Sequence, residues 1–157
     1  MRKRIIGPSP RVGSGVEPGW LDLERSAQVE ITSEEVGYPI ESALIPGVGQ
    51  GWRAAQPGEQ TIRLRFDEPL RLRRIHLVFH EGEQERTQEF VLRWSSDEGQ
   101  SYREILRQQY NFSPPEAGRE VEDYDLDLDG VTALELKIVP DISGGSARAA
   151  LAQWRLA

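Results

Sequence analysis

Hydrophobic and polar positions alternate along this chain in short runs. Val29 and Ile31 face one way while Gln28, Glu30 and Thr32 face the other. "QTIRLRF" is cleaner, with Ile62, Leu64 and Phe66 on one side and Arg63 and Arg65 opposite. The same period of two, the signature of a half-buried strand, sets Ile75, Leu77 and Phe79 together, then Phe90, Leu92 and Trp94. It recurs in Tyr124, Leu126 and Leu128, in Leu134, Leu136 and Ile138, and in Trp154 and Leu156. Leu70 and Leu72 fall out of phase with Ile75, which predicts a turn or bulge near Arg73-Arg74. The helical signal is a turn or two within "YPIESALIPG", closed by Pro46-Gly47. Such a series predicts an all-β fold, an antiparallel sandwich or barrel. Residues 1–20 lack periodicity and are expected to form an extended arm before a single domain over residues 21–157.

Composition narrows the partners. The chain has 157 residues, 38% hydrophobic and 29% charged, the balance of an ordinary globular domain. A net charge of -7 opposes polyphosphate, so nucleic acid is a disfavoured partner even with Arg63, Arg65, Arg71, Arg73 and Arg74 present. No run approaches the length of a membrane span. The cationic start "MRKRIIGP" is followed by only two apolar residues, too few for export, and with Cys 0 a disulfide is impossible. A cytoplasmic location is the expectation.

Few stretches carry chemistry. "SSDEGQSY" reads as a turn, with Asp97 accepting backbone N–H groups and Gly99 supplying positive φ, rather than as an acid catalyst. "DYDLDLDG" nearly matches a calcium loop, but the closing position is Leu136, so its aspartates are expected opposite arginines such as Arg63 and Arg65. His76 and His80 share a face roughly 13 Å apart, too far to hold one metal ion. "GVGQG" lacks the spacing of a phosphate cradle. No catalytic set and no metal ligands emerge. "RQQYNFSPP" reads as a loop after a hairpin. Tyr110 and Phe112 there serve either as core at a strand end or, with Asn111, as a mixed polar-aromatic surface for a sugar ring or peptide side chain.

"YPIESALIPGVGQGWRA", "EQTIRLRF", "RTQEFVLRWSSDEGQSYREI" and the terminal "ARAALAQWRL" together resemble the discoidin family, the coagulation-factor C-type domains of the galactose-binding-like superfamily. The likeness covers roughly residues 24–157. It implies an eight-stranded jelly-roll β-sandwich with ligand loops at one end, and a non-catalytic binding module, with carbohydrate as the first ligand and an intracellular protein partner as the alternative. Carried onto this chain, the loops are Gly47–Arg53, His80–Gln88 and Gln108–Gly118. The ligand-binding candidates are Arg53, His80, Arg86, Tyr110, Asn111 and Phe112. Trp52 serves as core or platform, and Arg86 either grips ligand or pairs with Glu81 or Glu89. Many members hold a structural calcium with carboxylates; here Ile45-Pro46-Gly47 and Gln153 stand in those places, so no cofactor is expected.

Overall fold

A computed structural model describes residues 19–157. Its strands are β1 (Ala27–Ile31), β2 (Trp52–Arg53), β3 (Gln60–His80), β4 (Arg86–Ser95), β5 (Arg103–Phe112), β6 (Arg119–Val139), β7 (Ala150–Leu151) and β8 (Gln153–Leu156). Two single turns, α1 (Leu23–Ser26) and α2 (Glu41–Leu44), complete it. The second is the helical stretch expected before Pro46-Gly47.

β3 and β6, 21 residues each, run antiparallel from Gln60 opposite Ile138 to His80 opposite Arg119. The first part of β3 carries β1, and the last part of β6 carries β4 with β5 beyond it, giving the order β1-β3-β6-β4-β5. The second part of β3 instead pairs with β8, Ile75 facing Leu156. One strand pair therefore serves two layers, five strands wide and three strands wide. β2 and β7 pair separately.

The crossing requires a bend, and the register shows how it is made. Between Arg65 and Arg74 the ladder slips three times. Leu70 faces Val131 and Leu72 faces Leu128, so Asp129 and Gly130 stand opposite Arg71 alone. Two residues opposing one is a bulge, which kinks and twists the strand. Gly130 takes φ +69, where a side chain would be strained. Pro69, lacking an N–H, sits in the same interruption. The loss of phase between Leu72 and Ile75 is thus a real feature of the ladder.

The side chains pointing between the layers are the alternate residues of the sequence pattern. Ile62, Leu64, Ile75, Leu77, Phe79, Phe90, Leu92, Leu134, Leu136, Ile138, Trp154 and Leu156 are all fully buried. Trp52 joins them as core, its indole N–H donating to the Ser33 carbonyl at 2.9 Å. The Ser95–Tyr102 turn closes as expected: Ser101 N–H donates to Asp97 at 2.9 Å, and Gly99 has φ +85. The Ser101 and Ser95 hydroxyls hold the Asp97 carboxyl down to about 2.

The aspartates of β6 face arginines, but not the pair expected. Asp127 binds Arg71 through two hydrogen bonds of 2.6 and 2.7 Å, and Asp123 binds Arg74 at 3.0 and 3.1 Å. Arg63 instead meets Glu135, its partner directly across the ladder, and Arg65 meets Glu30 on β1. These links also engage four of the five arginines considered for nucleic acid. The N-terminal arm expected over residues 1–20 lies outside the described residues except Gly19 and Trp20; Trp20 packs beneath the Arg74 guanidinium at 4.6 Å.

Leu64→Ala empties a site with no solvent access, so it should cost about 2–5 kcal/mol in urea unfolding. Val121→Ala, on an exposed position of β6, should stay within about 0.5 kcal/mol of the parent chain.

Candidate functional site

Where β3 ends, the loop after His80 meets β2 and the segment leading into β7. Between them lies a cleft of about 370 Å³ with a mainly polar lining that includes Arg53, His80, Glu83, Gln84, Ser146 and Arg148. Burial of Trp52 fixes the position of its neighbour Arg53 at the surface. The preceding Gly51 has φ +92, and a Cβ there would stand 2.8 Å from the Leu151 carbonyl oxygen. Only glycine lets the two chain segments approach so closely.

Glu35 orients two cations at the cleft. Its carboxylate lies 3.7 Å from Arg53 Nη1 and 3.3 Å from Arg148 Nη1. Arg53 also rests over the Tyr38 ring at 4.7 Å. Two guanidiniums on one carboxylate leave donor capacity and a net positive charge at this wall. His80 is exposed at the end of β3 and lines the same cleft. Neighbouring Glu83 supplies an acceptor.

The 81–86 loop is held from below. Glu81 accepts the backbone N–H groups of Glu83 and Gln84 at 3.1 and 3.2 Å and the Arg86 Nε–H at 2.6 Å. Burial pushes the Glu81 carboxyl up, but the Arg86 hydrogen bond and the two N–H groups outweigh it and hold the group below its ordinary value. Arg86, its side chain 1% exposed, also donates to the Pro140 carbonyl at 2.7 Å and lies 4.5 Å over the Phe112 ring. Gly118 completes the brace: its carbonyl accepts the Glu81 N–H at 2.8 Å, and a Cβ on it would meet the Glu81 oxygen at 2.6 Å.

The predicted binding residues therefore divide. Arg53 and His80 share the cleft. Arg86 and Phe112 are buried beneath the loop, and the open choice for Arg86 resolves as the ion pair with Glu81. Tyr110 is half-buried, edge-on to Phe112 at 5.0 Å, with its hydroxyl donating to the Arg119 carbonyl at 3.0 Å. Asn111 is exposed, accepts the Thr87 hydroxyl at 2.7 Å, and lines a separate shallow basin with Arg86, Phe112, Ser113 and Asp141, so three of the predicted residues meet there.

The loop expected over Gln108–Gly118 needs correction, because β5 continues to Phe112 in register with Arg86. Tyr110 and Phe112 alternate with Asn111 at the strand period, a signal already present in the sequence. Arg148, Ser146 and Glu35 were missed; the "SGGSAR" stretch, with its two glycines, marked a loop there without indicating what it would face.

Ile45-Pro46-Gly47 and Gln153 offer no carboxylate, and no three His, Cys, Asp or Glu side chains converge among the described residues.

Beside Arg86, Gln88 donates to the Glu120 carboxylate at 3.0 Å, while the other Glu120 oxygen is buried without a hydrogen-bond partner. Burial, and then the adjacent Glu122 carboxylate, push Glu120 from 4.5 up to about 9. Folding takes up a proton between those values. The stability linked to this group is complete below 4.5 and is lost as pH rises through about 9. Glu120→Gln removes the titration, so the fall in urea midpoint from about pH 5 to about pH 8.5 should flatten. Arg86→Ala strands a partly buried Glu81 and should cost about 3–5 kcal/mol, whereas Asn111→Ala should cost under about 0.5 kcal/mol, both read by urea unfolding.

No protein-family model matches the chain, and no curated protein does. Solved structures match well. The family 32 carbohydrate-binding module of Clostridium perfringens NanJ, in complex with galactose, has a TM-score of 0.62 at 14% identity, over 83% of this chain and 97% of its own. The CBM32-5 module of CpGH89 from Clostridium perfringens, in complex with GalNAc-β-1,3-galactose, has a TM-score of 0.64 at 16% identity, covering 88% and 99%. The CBM32 of AlyQ, in complex with 4,5-unsaturated mannuronic acid, has a TM-score of 0.62 at 13% identity, covering 84% and 95%. The expected fold class is therefore the observed one: an antiparallel all-β sandwich, similar in fold to these carbohydrate-binding modules.

Proposed function

We propose that this domain is a non-catalytic carbohydrate-binding module that grips a sugar in the cleft between Arg53, His80, Arg148 and the 81–84 loop. The observation that carries the reading is the cleft itself. Its volume of about 370 Å³ lies within the range of small-ligand sites. Guanidinium pairs on one wall can donate to vicinal hydroxyls or to a sugar carboxylate, and the Glu83 carboxylate can accept from hydroxyls opposite. The braced loop adds affinity by lowering the ordering cost of binding. The ligands of the similar structures, galactose and an unsaturated mannuronic acid among them, support the chemical class. The reading assigns no reaction to the domain.

Single sugars should bind weakly, with Kd on the order of 1 mM. In 15N-NMR titrations with galactose, N-acetylgalactosamine and galacturonate, shifts should concentrate at Arg53, His80, residues 81–84 and Arg148. Arg53→Ala and His80→Ala should each weaken binding about tenfold, roughly 1.4 kcal/mol, without lowering Tm. A panel producing no shifts at tens of millimolar sugar would overturn the proposal.

A further inference from the structure

Arginines on the sheets are closed by carboxylates at hydrogen-bond distance. Arg71 holds Asp127 through bonds of 2.6 and 2.7 Å, and Arg93 donates twice to Glu135, at 2.9 and 2.7 Å. The two arginines of the polar cleft are bound differently, for they share Glu35. Arg148 Nη1 donates to one oxygen at 3.3 Å, while Arg53 Nη1 stands 3.7 Å from the other, beyond hydrogen-bond distance. That second oxygen is buried without a hydrogen-bond partner. Among the described residues the two guanidiniums therefore make one hydrogen bond between them. Both side chains remain nearly half exposed. Arg53 is nonetheless held in place: its carbonyl accepts the Glu35 N–H at 2.8 Å, its own N–H donates to the Tyr38 carbonyl at 3.3 Å, and its guanidinium lies over the Tyr38 ring.

One carboxylate thus balances one of two fixed positive charges, and the unused donors border a cleft that His80 also lines. A guanidinium fork meets both oxygens of a planar anion, so such a wall is completed by one more carboxylate. No side chain of the cleft supplies it: Glu81 is turned to Arg86 beneath the loop, and Glu83 belongs to the 81–84 segment. In a site that takes sugars, the missing group is the carboxylate of a hexuronate. Resting on the carbohydrate reading of this cleft, we propose that it selects acidic sugars. The hexuronate carboxylate bridges Arg53 and Arg148, and the ring hydroxyls face Glu83. Arg148 is then a residue that determines specificity, and Glu35 positions it. The net charge of -7 opposes an anionic ligand at long range, so the preference depends on the close approach of these two groups.

The test measures Kd by 15N-NMR titration of the full chain with galacturonate, its neutral methyl ester, galactose and galactose 6-sulfate. Galacturonate should bind at least about tenfold tighter than the ester and than galactose, a difference of about 1.4 kcal/mol. Added salt should narrow that gap by weakening the acid alone. Arg148→Gln should bring galacturonate and galactose within about twofold of each other, and Arg148→Lys, which keeps the charge without the fork, should recover only part of the preference. If Arg148→Gln weakened all the probes alike, Arg148 would have a structural role and the proposal would fall. Galacturonate binding no tighter than its ester would also overturn it. So would galactose 6-sulfate binding tighter than galacturonate, which would make the ligand a sulfated sugar. In each of these cases sugars still bind in the cleft and the carbohydrate reading stands; shifts with none of the probes would sink both.

Discussion

The pairing of β3 with β6 is the constraint on which the other parts of the molecule depend. These two strands are the only elements shared by both layers described above, so their bend decides where each layer faces and where the loops emerge. A straight ladder of that length would build one wide sheet. Gly130 in its left-handed conformation and Pro69 without an amide proton interrupt the ladder between Arg65 and Arg74, and the strands turn there. Apolar burial then stabilises the folded-over arrangement, because Leu64 and Leu77, on opposite sides of the bend, enter the same core. Folding back brings the end of β3 beside β2 and the segment before β7, and the cleft is a consequence of that convergence.

The cleft rests on buried charge. Arg86 and Glu81 are drawn out of water beneath the loop, and an isolated charge there would be costly. The arrangement is tolerable because Arg86 meets Glu81, the Pro140 carbonyl and the Phe112 ring, while Glu81 meets two further backbone N–H groups. Side chains that look suited to contacting a ligand are used here to position backbone that lines the cleft. Glu120, joined to this bracket through Gln88, is the opposite case: its carboxyl stays protonated in the folded chain because burial and the adjacent Glu122 carboxylate outweigh the Arg86 charge. The exposed pairs between Arg71 and Asp127 and between Arg74 and Asp123 belong to a different class, screened by water and worth little each.

How far the candidate site was legible varies residue by residue. Arg53 and His80 followed from loop placement and do lie together in the cleft. Arg86 and Phe112 carried the right chemistry but point inward, a matter of which phase of the alternation each strand presents to the core. Tyr110 and Phe112 keep strand period past the expected end of the hairpin, so the period, and not the ring-and-amide composition, marks where β5 ends. Arg148 is far in sequence from Glu35, their pairing joins positions 113 residues apart, and no local pattern announces such a contact.

Local sequence by itself determined the alternating runs of β1, β3, β4, β6 and β8, the α2 turn, the Ser95–Tyr102 hairpin turn and the faces of Ile62, Leu64 and Leu77, because period and turn chemistry act between near neighbours. It also marked the phase slip before Ile75, since a bulge leaves its trace in the order of apolar residues. Only the tertiary structure decided which arginine met which carboxylate, that Trp52 became core, and that Arg53, His80 and Arg148 converged. Those outcomes depend on register between strands remote in the chain, and a one-residue shift across a bulge changes every partner beyond it.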